Sequence, residues 1–152
     1  MNRRHFLARC VATGAAGAAI STGLLMPGIA GATEFDPFQA RSVDDVLKAL
    51  GIVGTEASDQ ITIRAPAVAE NGATVPIGIQ SAIEGTTEII TIAAANPKPL
   101  AARYRFGKGA TPAVESRLKI GKTTDVIAVV KADGKYYTAK MPVKVTTGGC
   151  GG

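Results

Sequence analysis

From residue 60 onward the chain alternates apolar and polar residues at every second position, and keeps doing so almost to its end. In "QITIRAP" Ile61, Ile63 and Ala65 alternate with Gln60, Thr62 and Arg64. In "TVPIGIQ" Val75, Ile77 and Ile79 share a face. "EIITIAAA" is apolar almost throughout, as a central strand would be. "LAARYRF" sets Leu100, Ala102, Tyr104 and Phe106 against Arg103 and Arg105. "VESRLKI", "DVIAVVKA" and "YTAKMPVKVTT" continue the pattern, the last with Tyr137, Ala139, Met141, Val143 and Val145 on one face. A period of two puts alternate side chains on opposite faces of a strand, so each segment can bury one face. Turn signals separate them at Glu70-Asn71-Gly72, Glu84-Gly85, Asn96-Pro97, Gly107-Lys108-Gly109 and Asp133-Gly134, the last a hairpin signal. About seven strands at this spacing predict an all-β fold, an immunoglobulin-like antiparallel β-sandwich. "AENGATVP" reads as a hairpin turn. Pro76 and Pro142 lack a ladder donor, which places their strands at or near sheet edges.

One helix precedes the strands. Val43, Val46, Leu47 and Leu50 follow helical spacing, Ser42 suits the N-cap, Asp44 and Asp45 complement the dipole of the first turn, and Gly51 suits a stop. This helix is expected to pack one face on the body.

The first 32 residues read differently. Arg3, Arg4 and Arg9 give a basic start, residues 10–33 carry no charge, and Ala30-Gly31-Ala32 forms a small-residue cleavage pattern. Glycines, Pro27 and many alanines dilute the apolar run, so a cleaved signal is expected rather than an anchor. "NRRHFLA" resembles a twin-arginine signal, whose pathway exports folded protein. The expected organisation is a signal over 1–32, a β-sandwich with its leading helix over 33–147, and a flexible C-terminal arm over 148–152.

Removing 1–32 lowers the basic residues from 17 to 14 against 12 acidic ones, so the net charge falls from +5 to +2. The basicity belongs mostly to the signal, and no nucleic-acid partner is expected. His5, the only histidine, leaves too, as does Cys10. What remains has no histidine base, no Cys/His metal cluster and no internal disulfide. Neither a metal, a cofactor nor a catalytic residue is expected. Arg103, Arg105, Arg117 and Lys119 are read as a solvated sheet face rather than an anion site. Tyr104, Tyr136 and Tyr137 are read as packed rings.

One soft nucleophile is left, Cys150, flanked by Gly148, Gly149, Gly151 and Gly152. Glycine on both sides frees the backbone and keeps the peptide thin, so the thiol can enter a narrow channel on another protein. A cysteine left unpaired in an oxidising compartment points to either of two roles, a reactive thiol or an intermolecular disulfide. The residues leave both open.

The ending "KVTTGGCGG", with "APAVAENGATVP", "NPKPLAARY" and the twin-arginine leader, closely resembles the SoxY family, the sulfur-compound carriers of the bacterial thiosulfate-oxidising system. That resemblance implies an immunoglobulin-like sandwich with Cys150 as the attachment point for covalent sulfur intermediates. It also implies a periplasmic, non-catalytic carrier paired with a SoxZ-like small β-sandwich subunit. Transient partners would be a haem-containing sulfur transferase, a sulfate-releasing hydrolase and a sulfur dehydrogenase. The alternative is an exported immunoglobulin-like interaction module joined through a Cys150 disulfide.

Overall fold

The computed structural model describes residues 35–146. The chain divides into two units, Met1–Ala32 and Thr33–Gly152, and the described residues belong to the second. The expected signal over 1–32 and the arm over 148–152 lie outside the described residues.

A single turn of 3-10 helix, Pro37–Gln39, leads into helix α1, Val43–Ala49. The Ser42 side chain accepts from the Asp45 N–H at 3.1 Å, satisfying one of the four donors that a helix start leaves open. Gly51 ends the helix at φ +70°, a conformation that side chains resist.

Nine strands follow among the described residues: β1 (Glu56–Ala57), β2 (Ile61–Arg64), β3 (Val68–Ala69), β4 (Val75–Ser81), β5 (Thr86–Ala93), β6 (Leu100–Arg105), β7 (Ala113–Leu118), β8 (Thr124–Ala132) and β9 (Lys135–Val145). The larger sheet has the order β1-β9-β8-β5-β6, with β3 also paired to β9. The smaller has the order β2-β4-β7. The all-β sandwich expected from the alternation is the fold observed. Its seven strands are all present, "EIITIAAA" becomes the interior strand β5, and Asp133-Gly134 turns β8 into β9 with both residues at positive φ. The two additional strands, β1 and β3, have two residues each and pair parallel to β9. Two residues carry no period, so only the pairing reveals them.

The larger sheet buries both faces. Its inner face packs Ile89, Val126, Ala128, Val130 and Val143 against Ile61, Val75, Ile77, Ile79 and Leu118 of the smaller sheet. Its outer face packs Ile90, Ile92, Leu100 and Val129 against Ala40, Val46 and Ile52, with Val43, Leu47 and Leu50 of the helical segment alongside. Double burial explains why β5 reads as a continuous apolar run rather than an alternating one. Truncating one fully buried isoleucine here would cost about 2–5 kcal/mol.

Three expectations are corrected. First, "AENGATVP" is not a hairpin turn. It crosses from β3, on the larger sheet, to β4, in the smaller one. Asn71 shapes it by accepting from the Ala73 N–H at 2.9 Å. Second, Leu100 does not share a face with Phe106. Thr91 pairs with Ala102 but Ile92 pairs with Leu100, so Ala101 is an extra residue in a bulge. Leu100 turns to the helix-covered face, and Ala101 and Phe106 turn to the inter-sheet core. Third, the four basic residues do not form one face. Glu88, 4% exposed, accepts from Arg103 and lies 3.9 Å from the Arg105 Nε on the outer face of the larger sheet. Arg117 sits opposite Pro76 on the smaller sheet. Burial, and then the Arg105 charge, pull the Arg103 guanidinium below its ordinary range. It nevertheless remains a cation for the Glu88 carboxylate.

The prolines obey a local version of the edge rule. Pro76 lies in the middle strand of the smaller sheet. The Ser81 N–H donates to Pro112 on the β7 side and the Ala82 N–H to Gln60 on the β2 side, so even-numbered positions of β4 aim at β2. The β2 pairing stops at Gly78, so Pro76 lacks a donor where no acceptor is paired. Pro142 likewise falls on the flank of β9 between the β1 pairing, which ends at Thr138, and the β3 pairing, which begins at Lys144.

Candidate functional site at the arm root

The expected attachment residue Cys150 and the glycines Gly148, Gly149, Gly151 and Gly152 lie outside the described residues. The structure instead shows the ground they grow from. Thr146 is the last described residue. Cys150 follows four residues later, so its backbone reaches no more than about 14 Å from Thr146, at about 3.3–3.6 Å per residue.

That starting point is clamped from both sides of β9. On one side the Thr123 hydroxyl accepts from the Val145 N–H at 3.1 Å and lies 3.5 Å from the Val145 carbonyl, to which it can donate. On the other the Thr146 N–H donates to Ala69 O at 3.1 Å, and the Lys144 N–H to Ala67 O at 2.9 Å. β3 therefore pairs the final residues of β9 although it is only two residues long.

A second layer fixes the clamp. The Ile120 N–H donates to Gly72 O at 2.7 Å. The backbone at Gly72 is pressed so close that an added Cβ would stand 2.2 Å from the Ile120 carbonyl oxygen and 3.0 Å from Val145 Cγ1. Asn96 closes the 119–121 turn by donating to Lys119 O at 2.7 Å and accepting from the Gly121 N–H at 3.1 Å. Thr124 accepts from the Ala95 N–H at 2.7 Å. Three loops, 70–74, 94–99 and 119–123, thus converge at the end of the sandwich from which the arm leaves. We call this end the arm pole, and the end at the Asp133-Gly134 turn the hairpin pole.

The sequence reading missed the clamp. Thr123, Gly72 and Asn96 look like ordinary turn residues, and their partners lie at least 22 positions away in the chain. Among the described residues, no group of three or more His, Cys, Asp or Glu side chains gathers to hold a metal ion. Chemically, the pole can present a segment from a fixed origin.

A family profile described as sulfur oxidation protein SoxY matches residues 47–150. The solved structure of the sulfur carrier protein SoxY from Chlorobium limicola f thiosulfatophilum is similar, with 38% sequence identity and a TM-score of 0.65. The match covers 71% of this chain and 95% of that one. A superoxide reductase (neelaredoxin) from Ignicoccus hospitalis shares the fold at 16% identity and a TM-score of 0.51, over 69% of this chain and 93% of that one. No curated protein matches.

Proposed function

This chain belongs to the SoxY family of sulfur oxidation proteins, and from that membership we propose that Cys150 carries sulfur intermediates as covalent adducts during the oxidation of thiosulfate to sulfate. The observation that carries the reading is the extent of the family match, which runs to residue 150 and so takes in the cysteine. The clamp at the arm root supports it. A group carrier needs a single attachment atom on a short tether of fixed origin, and the reacting groups come from elsewhere.

The chemistry balances without an acid or base from this chain. In loading, the Cys150 thiol gives up its proton, Sγ forms an S–S bond to the outer sulfur of thiosulfate, and two electrons leave to a haem-containing sulfur transferase. In release, a hydrolase adds water across the bond between that sulfur and the sulfone. Sulfate and a proton depart, and a persulfide stays on Cys150. A sulfur dehydrogenase then withdraws six electrons from the remaining sulfane sulfur as three water oxygens are added to it and the protons are released. The hydrolase removes the resulting sulfone as a second sulfate, leaving the free thiol. The chain is a non-catalytic subunit in this scheme, exported to the periplasm by its leader and paired with a SoxZ-like partner.

Intact-mass measurement of the native protein from thiosulfate-grown cells tests the reading. The expected result is a set of reductant-sensitive sulfur additions that vanish in Cys150→Ser, with folding and partner binding retained. A tail that stays unmodified, or one held throughout as a stable disulfide dimer, would overturn it in favour of the interaction module.

A further inference from the structure

The arm pole differs in charge from the rest of the surface. Lys119, Lys122 and Lys144 are all exposed there, and Glu70 is the only acidic residue in the 67–74 and 119–123 loops and at the end of β9. Lys122 adjoins Thr123, which holds Val145, and Lys144 lies two residues before the last described position. Among the described residues every ion pair involves Glu88, far along the sheet, so these lysines make none there. Beside Lys144, across the β3 pairing, stands Val68, 51% exposed. The hairpin pole is different. It mixes both signs, carrying Asp59, Glu84 and Asp133 as well as Lys108 and Lys135. The grouping is fixed by the Ala82 N–H donating to Gln60 O and by the Asp133 carboxylate beside Gly85.

We propose that the arm pole is a docking face: a lysine collar around the arm root, with Val68 as its apolar contact, that fits an acidic surface around the active-site mouth of a partner enzyme. The proposal rests on the carrier reading and adds the surface by which the carrier is received. The physics suits a carrier that must visit several enzymes. Exposed lysines contribute little standing affinity, because their charges are solvated and their stems flexible. They contribute strongly to encounter, since long-range attraction raises association rates by about 10- to 1,000-fold and falls steeply with salt. Fast arrival with easy departure is what sequential visits require. Placing the charges at the root orients each collision so that the arm faces the mouth.

The test is the loading rate of the full exported protein by purified haem-containing sulfur transferase with thiosulfate, measured across ionic strengths. The triple variant Lys119→Glu, Lys122→Glu, Lys144→Glu is expected to load at least about tenfold more slowly at low salt and to lose most of the salt dependence. Lys108→Glu with Lys135→Glu, at the hairpin pole, should load like the parent. Reaction of Cys150 with a small neutral disulfide should be unchanged in both, which shows that the thiol is intact. Equal loading of parent and collar variant, or loading insensitive to salt, would overturn the docking face and leave the carrier reading standing. A collar variant that slows reaction with a small anionic disulfide as much as it slows loading would also overturn it, because the lysines would then be acting on anions at the arm itself. The carrier reading fails separately if Cys150→Ser accepts sulfur as well as the parent.

Discussion

At the hairpin pole, Gly85 and Gly134 hold left-handed backbone, with φ of +71° and +77°, whereas Gly72 at the arm pole lies outside that region and is required by contact alone. The two ends of β9 are therefore closed by the same residue type acting through different physics. At the hairpin pole, glycine makes a turn that right-twisted strands favour. At the arm pole it lets a crossing segment press against Ile120 and Val145 so that the last strand residues cannot fray. A turn ends a chain direction. The crossing holds the end of β9 in place.

The sharpest way to break this contrast is Gly72→Ala. A Cβ there would stand 2.2 Å from a backbone oxygen, so the crossing must move, and Val145 sits directly behind it. We expect a loss of about 3–4 kcal/mol, in the upper range for single substitutions, together with faster amide exchange at Val145 and Thr146. Chemical denaturation and hydrogen exchange would read the two effects. A loss below about 1 kcal/mol with unchanged exchange would mean that the arm root is not held by this crossing.

The contrast also shows which parts of the molecule were legible in the sequence. Val46 with Leu50, and Ile77 with Ile79, announce helix and strand because their spacing repeats within a few residues. The hairpin was legible because Asp133 and Gly134 are adjacent and make the turn alone. Leu100 lies on the face opposite to the one its alternation implies, because one inserted residue, Ala101, reverses every position on its far side. The clamp was not legible at all. Thr123 meets Val145 across 22 positions and Thr124 meets Ala95 across 29, so only the finished sandwich brings them together. The proposal for Cys150 draws on no tertiary information, only on its isolation among glycines and on the family match that runs to residue 150.

Two smaller perturbations sharpen the comparison by acting on one pole each. Gly134→Ala forces a side chain into left-handed backbone, with no atom within 4 Å of the new Cβ, so the cost is conformational alone. About 1–2 kcal/mol is expected, with no change in exchange at Val145. Thr123→Val keeps the side-chain shape and removes the hydroxyl that accepts from Val145 at 3.1 Å. Because the site is exposed, water can replace that bond, and the global loss should be no more than about 1 kcal/mol. Its local effect should nevertheless exceed that of Gly134→Ala, since one of the two flanks holding Val145 is released while the Thr146 bond to Ala69 remains. Exchange at Val145 should therefore quicken more than at Thr146. Equal quickening at both amides would show that the root opens as one unit, and would place its anchorage in the β3 pairing rather than in Thr123.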